Sequence, residues 1–195
     1  MEHAISELAG FYNLDRQVSA NFVVRCNGEY RDQRGSSRGI SSSTDRAHLI
    51  HLRSQADAVI TGGSTARAEA YSPTSRFATY AFSRTAVASG LHRLTFASSE
   101  SLQDVFANLQ LKHARILVEA GPKLLNIFLA EGLVDTLFVS VVHGTDTCTC
   151  STNARSSIDE NTALTKPIFN IPNGAAAEST IIADTALTRY DCGEP

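Results

Sequence analysis

The sequence predicts an α/β fold with a sheet that turns antiparallel toward its C-terminal end. Three observations carry this. Apolar, β-rich runs alternate with segments whose apolar residues recur at helical spacing. Near the C-terminus two strand-like runs, STIIAD and LTRYD, follow one another with no helix between them. Three strand-like runs end in small or polar turns, GGST, SR and AGP, and ligands gather at the carboxyl ends of strands in open α/β sheets.

Each element has its own warrant. Residues 1–18 fit a short helix, with Ile5, Leu8 and Ala9 on one face. NFVVRC, Asn21 to Cys26, reads as a buried strand. Residues 27–44 are polar and glycine-rich, a loop long enough to be functional. A helix starts near Thr44 or Asp45, capped by Ser43 or Thr44, with Ala47, Ile50 and Ser54 on its inner stripe. DAVIT is a short buried strand ending at Gly62, and residues 65–71 form a short helix. RFATYAF and HRLTFA are strands. SLQDVFANLQLK is an amphipathic helix with Leu102, Val105, Phe106 and Leu109 on one side. ARILVE is a buried strand. PKLLNIFLAEG is a helix with Pro122 in its first turn and Gly132 at its end, followed by the strand LVDTLFVSVV.

Composition narrows the function. The 195 residues suffice for one domain with a sizeable core, and 43% apolar with 19% charged residues is ordinary for a globular protein. A net charge of -3 argues against nucleic acid as partner but leaves room for a local basic pocket. No apolar run approaches about 18 residues, so no membrane span is expected. The N-terminus lacks the pattern of a secretion signal. Cys26, Cys148, Cys150 and Cys192 show no paired CxxC spacing, so no metal site is expected, and free thiols in a reducing cytoplasm are. His48 and His51 stand three apart on one helix without a third ligand, which reads as a packed or exposed face.

The turns carry the chemistry. In Thr61-Gly62-Gly63-Ser64-Thr65 the glycines let the backbone approach a ligand, and a helix beginning at Thr65 would aim N–H groups and its positive end at a phosphate. A tight turn whose hydroxyl merely caps the next helix explains the same residues. Glu119-Ala120-Gly121-Pro122 repeats the arrangement, with an acid at the strand terminus. Ser83-Arg84 offers a further phosphate contact through a forked guanidinium. A dinucleotide pyrophosphate needs donors from more than one segment, so the recurrence favours a cofactor site. No GxGxxG is present, so the pattern is not a Rossmann fingerprint.

Taken in order, NFVVRCNG, GSSRGISSSTDR, HLRSQADAVITGGSTARAEAYSPTSR, FSR and VEAGPKLLNIFLAEGLVDTL resemble the riboflavin-biosynthesis pyrimidine reductases. These form the C-terminal domain of a bifunctional deaminase-reductase and also occur as stand-alone chains, and TARAEAYSP looks most like the actinobacterial stand-alone type. The resemblance spans about residues 20–145. It implies a dihydrofolate-reductase-like α/β fold: a mixed, mainly parallel central sheet with flanking helices and antiparallel C-terminal strands. It further implies one reductase domain over 1–195 without a deaminase domain, NADPH as hydride donor, a homodimer and a phosphorylated pyrimidine substrate. Cofactor contacts carried over fall on Val23, Gly39, Thr65, Glu69 and Ser83, with Gly121, Pro122, Lys123, Leu124 and Leu125 near the cofactor phosphates. The turn residues Thr61, Gly62, Gly63 and Arg84 join that set. Substrate contacts fall on Asn21, Ser37, Arg53, Pro73, Arg76 and Glu119, with Arg53 and Arg76 suited to the sugar phosphate and Glu119 the candidate catalytic group.

The chain departs from the family pattern in five places, two of them being STA at Ser64–Ala66 for GTV or GTA and a short segment after Arg76. SLDG reads RCNG, placing Arg25 for a hydroxyl residue and Asn27 for an acid. EGGP reads EAGP, adding a methyl at Ala120. The segment after Gly144 is unfamiliar. Two other readings stand beside the pyrimidine reductase: another NADPH-dependent pteridine or folate reductase, and a non-catalytic NADPH-binding paralogue.

Overall fold

The computed structural model of the chain describes residues 17–143, 165, 168–173 and 175–193. Along the chain run β1 (Val18–Arg25), α1 (Ser43–Gln55), β2 (Ala58–Gly62), α2 (Gly63–Ala68), β3 (Ala78–Phe82), β4 (His92–Leu94), α3 (Ser99–Gln110), β5 (Ile116–Glu119), α4 (Pro122–Ala130), β6 (Thr136–Val142), β7 (Ala176–Ile182) and β8 (Thr185–Asp191). The strands form one eight-stranded sheet in the order β4-β3-β2-β5-β1-β6-β8-β7. Every pairing from β4 to β6 is parallel, while β6–β8 and β8–β7 are antiparallel. This is the mixed sheet the sequence predicts.

Parallel strands covered on both faces need burial at nearly every position rather than at alternate ones. β2, β5 and β6 are buried throughout, and β1 up to its last residue, Arg25. On one face Phe22, Ile60, Val118 and Val139 pack with Phe106 of α3 and Leu125 and Phe128 of α4. Phe128 meets Phe106 edge-on with centroids 4.9 Å apart and Phe82 at 5.4 Å. Such pairs contribute about 0.5–1.5 kcal/mol beyond their burial. The opposite face carries α1, where Leu52 joins Val59, Leu117, Phe138 and Leu187 in a smaller cluster.

α1 differs from expectation. Its cap is Ser42, whose side chain accepts from the Asp45 N–H, so neither Ser43 nor Thr44 caps it. Its inner side is Thr44, Asp45, His48 and Leu52, whereas Ile50 is 58% exposed. The predicted stripe of Ala47, Ile50 and Ser54 is thus corrected by a rotation of the helix. The cause is a polar sheet surface beneath it: His48 Nε2 donates to Asn21 Oδ1 at 3.1 Å, and its ring lies edge-on to Phe138.

Smaller corrections follow. α2 begins at Gly63 rather than Thr65 and ends at Ala68. Val18 already belongs to β1, so the helix expected over 1–18 does not reach it; residues 1–16 and the CTC stretch lie outside the described residues. Cys26 is disulfide-bonded, contrary to the expected free thiol. Cys192 is free, its thiol pushed up to about 12 by burial. Among the described residues no helix is long and apolar enough to cross a membrane, and no group of three His, Cys, Asp or Glu could hold a metal ion.

Candidate active site

Parallel register sets the carboxyl ends of β3, β2 and β5 side by side. Phe82 is level with Gly62, and Thr61 with Glu119. The three turns that follow these strands therefore share one edge, and they touch. A Cβ added at Gly63 would lie 2.6 Å from Ser83 Cβ, an approach only glycine permits. One added at Gly121 would meet only Thr65 Oγ1, at 3.6 Å, and one at Gly62 would lie 3.6 Å from Leu124. α4 opens with Pro122 in its first turn, where a missing N–H costs nothing. Neither α2 nor α4 carries a side-chain cap, which leaves their first turns without a side-chain acceptor.

Glu119 ends β5 on the face that α1 covers and is 7% exposed. Arg53, in the last turn of α1, grips it with both prongs: Nε donates to Oε1 at 2.7 Å and Nη2 to Oε2 at 2.5 Å. The Tyr71 hydroxyl also donates to Oε2, and Arg53 Nη2 reaches that hydroxyl oxygen at 3.0 Å. Burial alone would lower the Arg53 pKa, yet the paired carboxylate raises it above the ordinary value. Burial and the same carboxylate raise Tyr71 well above the usual phenol range, so it stays a donor. Thr61 Oγ1 donates to the Glu119 carbonyl at 2.9 Å and fixes the strand end itself.

The loop between β1 and α1 is tied to the same edge. Glu69, just past α2, accepts from Ser36 Oγ at 3.0 Å and from the Ser37 N–H at 2.5 Å, and Arg38 donates to its carbonyl at 3.2 Å. Arg25 Nη2 donates to the Gly39 carbonyl at 2.6 Å, so the departure at Arg25 works as a brace for this loop. Gly39 itself is pressed on Asp32, where a Cβ would come within 2.5 Å of Oδ2. Asn27 is exposed and closes a small turn by accepting from the Glu29 N–H. Ala120 is 3% exposed, with its methyl in the core cluster rather than at the edge.

The predicted site residues therefore fall into groups. Thr61, Arg53 and Glu119 meet; Gly62, Gly63 and Ser83 meet Thr65, Gly121 and Leu124; Ser37 and Gly39 join Glu69 through the loop. Val23 packs with Ile40 and Val142, and Asn21 pairs with His48. Leu125 is fully buried in the core, so any ligand contact there is through its backbone. Pro73 lies against Gly90, while Arg76, Arg84 and Lys123 stand exposed, with no side-chain hydrogen bond to the rest among the described residues. A shallow groove of about 670 Å³ along the outer flank of α1, past Arg46, Ile50 and His51, meets none of the predicted site residues. Sequence reasoning missed Tyr71, Ser36 and Arg38. Tyr71 left one signal, an aromatic hydroxyl in the middle of the polar stretch AEAYSP.

Sheet order and flanking helices define a dihydrofolate-reductase-like fold, and the likeness is measurable. A dihydrofolate reductase from Enterococcus faecalis, complexed with NADP(H), superposes with a TM-score of 0.59 at 11% identity, over 91% of this chain and 97% of that one. The chain belongs to the RibD C-terminal domain family, whose family model matches residues 16–143. Membership implies an oxidoreductase of the pyrimidine-reductase type. A pyrimidine reductase-like protein from Corynebacterium diphtheriae shares the fold with a TM-score of 0.63 at 18% identity, over 90% of this chain and 91% of that one. A diaminohydroxyphosphoribosylaminopyrimidine deaminase/5-amino-6-(5-phosphoribosylamino)uracil reductase from Thermotoga maritima gives 0.62 at 15% identity, over 97% of this chain but 61% of that one. No curated protein sequence matches the chain.

Proposed function

We propose that the chain is an NADPH-dependent reductase of a phosphoribosylaminopyrimidine, converting the ribosyl group to ribityl. The observation behind this reading is the contact of three strand-end turns beside a buried carboxylate at one sheet edge. The residues fit the cofactor. Around Gly121 a Cβ would meet nothing but Thr65 Oγ1, so the backbone is open where a pyrophosphate would approach. Ser83, Thr65 and the start of α4 bring donors from three segments, and family membership supports the same assignment.

Bound at this edge, NADPH supplies the hydride. The chain's own part is to hold the two reactants together and exclude water. Val23, Gly39, Thr65, Ser83 and the Gly121–Leu125 backbone line the cofactor side, and Glu69 holds the Ser36–Ser37 turn over it. Glu119 accepts from ribose hydroxyls or pyrimidine N–H groups. With the Arg53 fork engaged by Glu119, exposed Arg76 is the cation for the sugar phosphate. A homodimer accompanies this reading, and β7, which has no further strand beside it among the described residues and leaves Ile181 42% exposed, supports it.

The test is NADPH titration followed by loss of its absorbance with the pyrimidine phosphate or with dihydrofolate. We expect oxidation with the pyrimidine. Turnover of dihydrofolate alone identifies a folate-type reductase, and tight NADPH binding without any turnover identifies a non-catalytic paralogue.

A further inference from the structure

We propose that Tyr71 is a positioning residue of this site, which closes one oxygen of Glu119 and leaves the substrate a single acceptor position on the other. The inference rests on the reductase reading above and deepens it.

A carboxylate offers about four lone-pair positions, two on each oxygen. At Glu119, Oε2 accepts from both Arg53 Nη2 and the Tyr71 hydroxyl, so its two positions are filled. Oε1 accepts from Arg53 Nε alone among the described residues, so one position remains. Arg53 fixes the plane of the carboxylate through its fork. Tyr71 decides which oxygen faces the ligand. Without the hydroxyl, Oε2 has a vacant position and competes with Oε1 for the same substrate donor, in a second and unproductive register.

Tyr71 is well placed for such a role. It lies between the Leu52 cluster and the Ala66–Leu91 cluster, so its ring is anchored by packing on both sides. The Arg53 guanidinium sits 5.3 Å from its ring centroid. It comes from the segment after α2, whereas Arg53 comes from α1 and Glu119 from β5. Three separate elements therefore converge on one carboxylate at the mouth of the cofactor edge.

Tyr71→Phe tests the idea because the ring and its packing stay. The expected result is a loss of about tenfold in kcat/KM for the pyrimidine, carried mainly by KM, with the Kd for NADPH unchanged. In a Glu119→Gln background, where the acceptor pair is already altered, the same substitution should change kcat/KM by less than about twofold. All measurements are made below each variant's melting temperature. If Tyr71→Phe leaves kcat/KM intact, or its effect adds in full to that of Glu119→Gln, the positioning role is overturned and the reductase reading survives. If the wild-type chain oxidises no NADPH with the pyrimidine, the reductase reading fails and the positioning role falls with it.

Discussion

Arg53 shows how a single side chain changes meaning once its neighbours are known. By type and position it suits a sugar phosphate, but in the fold its fork is spent on Glu119. His48 makes a similar point in the opposite sense. It reads as an ordinary helix histidine, yet it is fully buried and its pKa is pushed down to about 3, by desolvation first and by His51 second. Below the ordinary value of 6.5 the unfolded chain takes up a proton that the folded chain refuses. Stability is therefore lost as pH falls from about 6.5 toward 3, at up to about 1.4 kcal/mol per pH unit from this group. Asp45, raised by burial, acts in the opposite direction in its own range, so the comparison must be between variants. His48→Gln should flatten the fall in urea midpoint between pH 6 and pH 4 relative to the wild type. An unchanged slope would show that His48 is protonated in the fold. The sequence shows which residues can bond, but not that a histidine and an asparagine from distant segments satisfy each other in the dark of the interior.

Elements with an apolar signature were legible, and elements whose inner side is polar were not. α3 presents Leu102, Phe106 and Leu109 to the core as its periodicity predicts. α1 does not, because Asp45 and His48 turn to the sheet side, Arg53 reaches Glu119 at the strand end, and Ile50 is left at the surface. The glycine turns were legible as turns from Gly-Gly and Gly-Pro alone. That they touch one another depends on strand register, which local sequence does not encode. The Gly63–Ser83 contact gives an element-level prediction. Gly63→Ala should destabilise the fold by about 1–3 kcal/mol by forcing α2 away from the end of β3. Adding Ser83→Gly should recover most of that loss in thermal denaturation. Failure of the double variant to recover would mean that the turn gives way elsewhere.

At the scale of the molecule, the sheet has two unlike faces. One is closed by the phenylalanines of α3 and α4, and the other by a helix whose underside is largely polar. Strand order puts β1 and β5 in the middle and leaves three-residue β4 at a margin, with His92 and Arg93 exposed. Amide exchange should follow that order, with β1 and β5 protected close to the global limit and β4 opening far more readily. Equal protection of β4 would imply cover that the described residues do not supply. The meeting of Ser83 with Gly63, and of Thr65 with Gly121, has a consequence of a different kind. No covalent bond among the described residues joins the ends of β3, β2 and β5, so a cofactor bound there as proposed would act as a removable staple across three strands. Its occupancy adds to the work of prising them apart by mass action. A chain starved of its ligand should be the one that proteases find first, so abundance would follow supply without any dedicated sensor.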